Sequence, residues 1–223
     1  MKKKETQNYK TGDVFSFQIA PNEFGYGRVL LDVYNHLYIK KIIDKNSALL
    51  FGNKNTILIE IYKYTSSEQN DVLDSYEVLI PGLFTSNIDI LLNYWKIIGN
   101  KPVDYNLIDF PEFLSHKGAF NAFFIKGEVR YPISISYEEV ERIKIYSIEF
   151  GSSEIPEITL CSLGRFNEIN NEINIDLRRI ENYDLRFNKN RNLIYTLLPS
   201  DFKNNYCELS HKMGFDVERF KTK

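Results

Sequence analysis

Residues 11–32 read TGDVFSFQIAPNEFGYGRVLLD, two strand patterns joined by a turn, and the rest of the chain is organised around them. Over 13–19, Val14 and Ser16 alternate with Phe15, Phe17 and Ile19, the period of two that buries one set of side chains and leaves the other wetter. Pro21 fixes its own φ and Asn22 tolerates turn geometry, so 20–23 breaks the run and 26–31 resumes it. A glycine inside a strand marks a bulge, a bend or a close backbone approach, and Gly25-Tyr26-Gly27 supplies two such positions immediately before Arg28. The unit reads as the first hairpin of a small, strongly curved sheet.

At 223 residues with 43% hydrophobic side chains, the chain is long enough for one large domain or two small ones with a substantial core. Its 16 Phe and 15 Tyr, with abundant Ile, suit pleated and half-buried surfaces better than helices, which favours a mainly β fold. A formal charge of −2 provides no basic field to gather phosphate, which argues against nucleic acid as a partner, and is too slight to mark a nucleic-acid mimic. Cys161 and Cys207 are too few for a secreted disulfide framework; they read as reduced thiols, with a single bridge as the alternative. Lys2-Lys3-Lys4 is followed by polar residues where a signal peptide needs an apolar core, and no apolar run approaches the roughly 18 residues of a membrane span. These features predict a cytoplasmic protein without a membrane partner.

Beyond the hairpin, 37–43 (LYIKKII) and 47–51 read as further strands, the lysines of the first facing water or marking an edge. Residues 56–64, TILIEIYKY, give the strongest strand signal in the chain and belong at the centre of the sheet. A polar loop at 65–71 and a strand at 76–80 follow, stopped by Pro81-Gly82. Residues 86–92 fit a short helix or a bent strand equally, 94–98 read as strand, and Asp109-Phe110-Pro111-Glu112 predicts a short helix gone by Gly118. Residues 120–126 and 128–135 form a predicted hairpin turning at Lys126-Gly127. The capping box Ser136-Tyr137-Glu138-Glu139 starts a helix of one or two turns, before an extended 145–150.

Gly151-Ser152-Ser153-Glu154 is the expected boundary between a β-rich part, 1–150, and an extension, 151–223, packed on the same domain. In the extension 158–163, 173–180 and 193–197 are strand-like and 167–174 is a surface turn. Pro199-Ser200-Asp201 then opens a helix whose stripe of Phe202, Tyr206, Leu209 and Met213 should lie on the sheet until Gly214 ends it. The expected architecture is mainly β (α+β): a strongly curved antiparallel sheet or a small barrel like that of SH3 domains, with extra strands and a C-terminal helix.

Catalysis needs a nucleophile with its base, paired carboxylates or a metal cluster. His36 falls in a turn between strands, His116 in a loop and His211 on the last helix, without HExxH or Cys-x-x-Cys spacing. Cys207 and His211 share a helix face, but two ligands do not make a site; packing is the better reading, and no metal or other cofactor is expected. Glu138, Glu139 and Glu141 complement a helix start rather than form an acid–base pair. Gly25-x-Gly27 lacks the third glycine, the lysine and the following helix of a phosphate loop. Basic-aromatic patches at Lys40-Lys41 with Tyr38, and at 186–191 with Phe187, are of a kind that stacks single-stranded nucleic acid, but in a net-acidic chain they read as solvated faces.

Three pieces in order, Gly12-Asp13-Val14-Phe15, Gly25-Tyr26-Gly27-Arg28-Val29 and Tyr94-Trp95-Lys96-Ile97-Ile98-Gly99 with Pro102, resemble the bacterial immunity proteins of polymorphic toxin systems, class twenty-six. The resemblance spans residues 9–145 and implies a mainly β protein that binds and neutralises a cognate toxin, bringing no catalytic residues with it. On this reading the acidic run Glu68-Gln69-Asn70-Asp71, with Asp74 and Glu77, is a candidate rim facing a basic nuclease toxin, against the alternative of an ordinary solvated loop. Tyr26, Arg28 and Trp95 are further candidate partner contacts, with structural alternatives: a core position for Trp95, a buried carboxylate partner for Arg28. A different class stays open, a small-barrel nucleic-acid binder or endoribonuclease, which a basic groove would favour and an acidic face would oppose. An enzyme with loop-borne carboxylates comes third.

Overall fold

The computed structural model describes residues 6–71, 76–116, 122–143 and 149–221. Its strands are β1 (Asp13–Ala20), β2 (Glu23–Asp32), β3 (Thr56–Ser66), β4 (Val78–Ser86), β5 (Lys96–Asn100), β6 (Glu112–His116), β7 (Ala122–Lys126), β8 (Val129–Ile133) and β9 (Glu149–Phe150). Its α-helices are α1 (Ile88–Leu91), α2 (Tyr137–Ile143), α3 (Ile155–Ser162), α4 (Arg191–Thr196) and α5 (Tyr206–Lys212). The chain divides into two units: Met1–His36, Gly52–Val103 and Glu149–Arg179 make the first, and Leu37–Phe51, Asp104–Ile148 and Ile180–Lys223 the second.

The first unit is built on one six-stranded sheet ordered β5-β1-β2-β3-β4-β9, antiparallel except where β9 runs parallel to β4. The opening hairpin forms where its sequence predicts, with Asn22 at φ 59 in the turn, a left-handed conformation that its short amide side chain tolerates, but Val14 and Ser16, expected on a wetter face, are buried as well. β3 lies inside the sheet, between β2 and β4. Paired residues share a face, so the buried Phe15, Phe17, Val29, Ile59 and Ile61 form the core side. There Trp95 stacks on Phe15, ring centroids 4.8 Å apart, and α3 packs against β1.

This packing explains the two strand glycines. A Cβ on Gly27 would stand 2.6 Å from the Glu60 carbonyl oxygen and 2.7 Å from the Phe15 ring, and the β2–β3 ladder shifts register between Gly25 and Gly27. Gly27→Ala should therefore cost roughly 1–3 kcal/mol through overpacking, read as a lower denaturation midpoint. An unchanged midpoint would show that β2 and β3 can separate locally without loss.

A closed barrel does not form among the described residues: β5 pairs only with β1 and β9 only with β4. Closure needs a continuous ladder between the outer strands, and β9 offers two residues in parallel pairing.

The second unit holds the antiparallel meander β6-β7-β8. Its β7–β8 turn falls at Gly127, φ 57, as the sequence predicts; a Cβ there would also stand 2.5 Å from the Tyr206 ring, so glycine is required on two counts. The Tyr206 hydroxyl accepts the Glu128 amide at 3.1 Å, and Tyr206 and Phe110 rings lie 4.4 Å apart. Phe202 meets Phe124 at 5.7 Å and Tyr131 at 4.9 Å, so the C-terminal aromatic stripe does dock on this sheet. Residues 199–214 are not one helix, however. A 3-10 turn, Ser200–Lys203, gives way to extended Asn204, and Asn205 restarts the chain as the cap of α5, accepting the Glu208 amide at 2.9 Å. Met213, last of the stripe, is 40% exposed. The Ser136 capping box is formed, with Glu139 N–H donating to Ser136 Oγ and Ser136 N–H to the Glu139 carboxylate.

Other expected elements are corrected. Residues 37–43 are not a third strand: a π-helical turn, Val33–Tyr38, takes the first two, and the Ile42 and Ile43 amides both return to the Leu37 carbonyl. Leu37 and Ile43 are thereby buried while Ile39 is 57% exposed, a loop's pattern rather than an alternating strand's. Residues 47–51 form a 3-10 turn, Ala48–Phe51. Pro81-Gly82 does not stop β4, because the β3–β4 register shift at Ile59/Ile61 gives Pro81 a bulge, where its missing N–H breaks no ladder bond. The helix expected from Asp109 is the strand β6, so His116 lies on a strand; the short turn comes earlier, Tyr105–Leu107, capped by Asp104. Residues 158–163 and 193–197 fall largely in α3 and α4, and 173–180 contains the 3-10 turn Ile175–Leu177. Short apolar runs do not by themselves separate a buried helix from a buried strand, and Pro156 in the first turn of α3 was the local signal for helix.

Candidate functional site

The face of the first sheet opposite its core carries most of the residues singled out for partner contact. Register places Val14, Arg28 and Glu60 in one row across β1, β2 and β3, and Tyr26 beside Ser16 in the next. Alternation along β3 adds Tyr62 and Tyr64 to the same face. The sequence explains why this layer is not simply exposed. Arg28 Nε lies 2.8 Å from a Glu60 carboxylate oxygen, side chains 12% and 9% exposed, and an Arg28 terminal nitrogen donates to the Pro102 carbonyl at 2.9 Å. This largely buried pair realises the structural alternative for Arg28. Burial pushes the Tyr62 phenol well above its ordinary pKa, and the neighbouring Glu60 charge pushes it the same way.

Aromatic rings extend the row outward. Tyr62 meets Tyr76 edge-on at 5.2 Å, the Lys101 ammonium sits 3.9 Å above the Tyr76 ring, and Tyr26 and Tyr64 lie 5.5 Å apart. Phe24, Tyr64 and Ile98 pack, partly buried, against Val14, Tyr26 and Tyr62. The polar run after β3 is folded back onto these rings. Tyr26 Oη donates to the Glu68 carbonyl, Tyr64 Oη to the Asp71 carboxylate at 2.7 Å and Ser66 Oγ to the same carboxylate oxygen at 2.6 Å. Glu77 pairs with Lys63 at 3.0 Å, both side chains more than half exposed.

The structure thus brings Tyr26, Arg28, Glu68 and Asp71 together on this face, whereas the pairing that puts Tyr62 and Val78 there turns Lys63 and Glu77 to the other side of the β3–β4 ladder. Asp71 spends its carboxylate fastening the loop, whereas the Glu68 and Glu77 side chains face solvent. Trp95 is 3% exposed and lies on the opposite, core side. Asp74 lies outside the described residues. Sequence reading did not single out Tyr62, Tyr64, Tyr76 or Lys101. The alternation Glu60, Tyr62, Tyr64 within TILIEIYKY was the available signal, since it gives the second face of a central strand a polar-aromatic character that a two-sided core would not have. Tyr76 and Val78 are 41% and 40% exposed, so an apolar centre is accessible beside charged Lys101, with the Lys63–Glu77 pair at the edge.

The second unit holds the chain's most concentrated buried charge. Glu112, fully buried, lies 3.0 Å from Lys126 Nζ, accepts the Tyr195 hydroxyl at 2.7 Å and stands 3.3 Å from Arg191 Nε. Burial pushes its carboxyl up, but Lys126, Tyr195 and Arg191 together outweigh that and hold it below the usual carboxylate range. Arg186 is matched to Asp184 and Asp109, at 2.6 Å and 3.1 Å. The basic stretch at 186–191 is therefore largely consumed by internal pairs, not displayed as a stacking surface. A fully buried carboxylate held by Lys126, Tyr195 and Arg191 anchors β6 to α4. No disulfide links Cys161 and Cys207, the Cys207 thiol donates to the Asn106 side-chain oxygen at 3.4 Å, and no group of three or more metal-ligating side chains gathers among the described residues.

A family model described as Immunity protein 26 matches residues 10–124, slightly more than half of the chain. No curated relative and no solved structure matches it.

Proposed function

The chain belongs to the Immunity protein 26 family, and from that premise we propose that it protects its own cell by binding a toxin and covering the surface on which the toxin acts, without chemistry of its own. The observation that carries this reading is the tyrosine face of the first unit, where exposed Tyr76 and Val78 stand beside charged Lys101, with the Lys63–Glu77 pair at the edge. Aromatic anchors that lose water at the centre of an interface supply most of its binding energy, and the charged residues around them set the association rate. Tyr76→Ser should accordingly weaken binding about 30-fold or more, because it removes such an anchor while touching no buried hydrogen bond. The measurement is the affinity of the purified protein for the toxin-domain protein encoded beside its gene. Wild-type affinity in the variant would move the interface elsewhere, and no complex with the wild type would remove the reading altogether.

Charge gives a second handle. The Glu68 and Glu77 carboxylates suit a partner with a basic active surface, as a nuclease has, so the double change Glu68→Lys with Glu77→Lys should slow association by removing long-range attraction. The slowing should shrink as salt rises and screens the field; a defect equal at low and high salt would mean lost contact rather than lost steering. The toxin is met in the cytoplasm on this account. Among the described residues no helix is long and apolar enough to cross a membrane.

A further inference from the structure

The second unit contains a cleft of about 890 Å³ that the tyrosine face does not use. Its walls are the turn that replaces the expected third strand, the start of β8 and the segment after α5. Three features define its chemistry. The floor is ion-paired: Glu128, 6% exposed, pairs with Arg219 and accepts the Ser47 hydroxyl at 3.1 Å, and Asp44 adds its charge on the Arg219 side. The lining as a whole is cationic, since four of its side chains are basic and two are carboxylates, and no carboxylate among the described residues pairs with Lys41, Lys45 or Arg130. The mouth is apolar, with Ile39 57% and Met213 40% exposed.

We infer that this cleft docks a short acidic segment of a partner protein that carries an apolar anchor side chain. Charge complementarity selects the acidic character, because three unmatched cations in a chain of net charge −2 form a local reversal of sign. The apolar mouth selects a peptide over a nucleic acid. Ile39 and Met213, the most exposed apolar side chains of the lining, offer an aliphatic side chain a dry contact, whereas its two rings, Tyr38 and Phe215, are partly buried and Arg219 lies 5.9 Å over the second, which leaves little ring face for stacked bases. Arg130 is stacked on Phe123 at 3.9 Å, so that ring face is already covered. The volume falls within the range of roughly 300–1,000 Å³ typical of ligand clefts. The inference does not depend on the toxin-binding reading, which concerns an acidic surface in the other unit.

The test uses the full chain and fluorescence anisotropy with labelled peptides. A short peptide of alternating glutamate and leucine should bind; one of glutamate and serine should bind about tenfold more weakly or worse, and one of lysine and leucine not at all. Lys45→Glu with Arg130→Glu should abolish binding of the first peptide, and Ile39→Ser should reduce it about tenfold. These three side chains are exposed, so unchanged melting temperatures will confirm that the variants fold. No binding of the glutamate–leucine peptide, equal binding of the glutamate–serine peptide, or binding untouched by the variants overturns the inference. Tighter binding of a single-stranded oligonucleotide than of the peptide also overturns it, in favour of a nucleic-acid groove.

Discussion

Replacing Glu112 by alanine should cost roughly 3–5 kcal/mol of stability, the penalty for leaving a buried cation without its partner. Lys126, 4% exposed, would lose the carboxylate 3.0 Å away, and the Tyr195 hydroxyl its acceptor at 2.7 Å. Asp109, 3.9 Å from Lys126 and 44% exposed, is too distant and too wet to substitute. The effect has a pH signature. Glu112 is held below the usual carboxylate range in the folded protein, so its contribution is complete above the unfolded-chain pKa and is lost as pH falls through the lower folded value. Wild type and Glu112→Gln should therefore differ most near neutrality and converge only in acid, once pH has fallen below that depressed folded value. Asp184 works in the opposite sense, since burial raises its carboxyl despite Arg186, and it is common to both proteins. Equal stabilities at neutral pH would show that the ion cluster costs as much in lost hydration as it returns in attraction.

Leu209→Asp should be comparably severe, roughly 3–5 kcal/mol. Leu209 is 1% exposed on α5, so the change removes a packed side chain and asks for a buried charge with no partner. The neighbouring Leu209→Met, which keeps volume and apolarity, should cost less than about 1.5 kcal/mol, and the contrast assigns the loss to burial rather than to helix propensity. A melting temperature unchanged by the aspartate would mean that the C-terminal segment is detached in solution.

What the sequence reveals here follows from where a strong pattern or a backbone demand leaves few alternatives. The opening hairpin, β3 and the β7–β8 turn were legible because Phe15 and Phe17, Ile59 and Ile61, and Gly127 each carry a pattern or a backbone demand that little else satisfies. The α5 stripe was legible for the same reason, although Asn204 and Asn205 broke the helix where only their capping chemistry shows it. Residues 37–43 misled because LYIKKII has strand composition but pairs with no strand among the described residues; the Ile42 and Ile43 amides close on Leu37 instead. The helices after Phe150 were hidden by runs too short for their period to speak. At the candidate site, the acidic run was visible and the tyrosines were not, because Tyr62, Tyr64 and Tyr76 become one surface only when the β3–β4 register brings Tyr62 opposite Val78. Trp95 went the other way, its stacking on Phe15 placing in the core a residue whose type also marks interfaces.

The central claim is that protection comes from occupancy, and the direct measurement is a titration of the toxin-domain protein's activity against increasing amounts of this protein. Occlusion predicts that activity falls in proportion to the amount added, reaches its floor at a fixed molar ratio, and does not change with further incubation. The same curve should be traced by a variant in which His36, His116, His211, Cys161 and Cys207 are alanine, provided that it folds. A substoichiometric amount that abolishes activity progressively with time, or loss of protection in a variant that still forms the complex, would contradict the account and place a catalytic group in this chain.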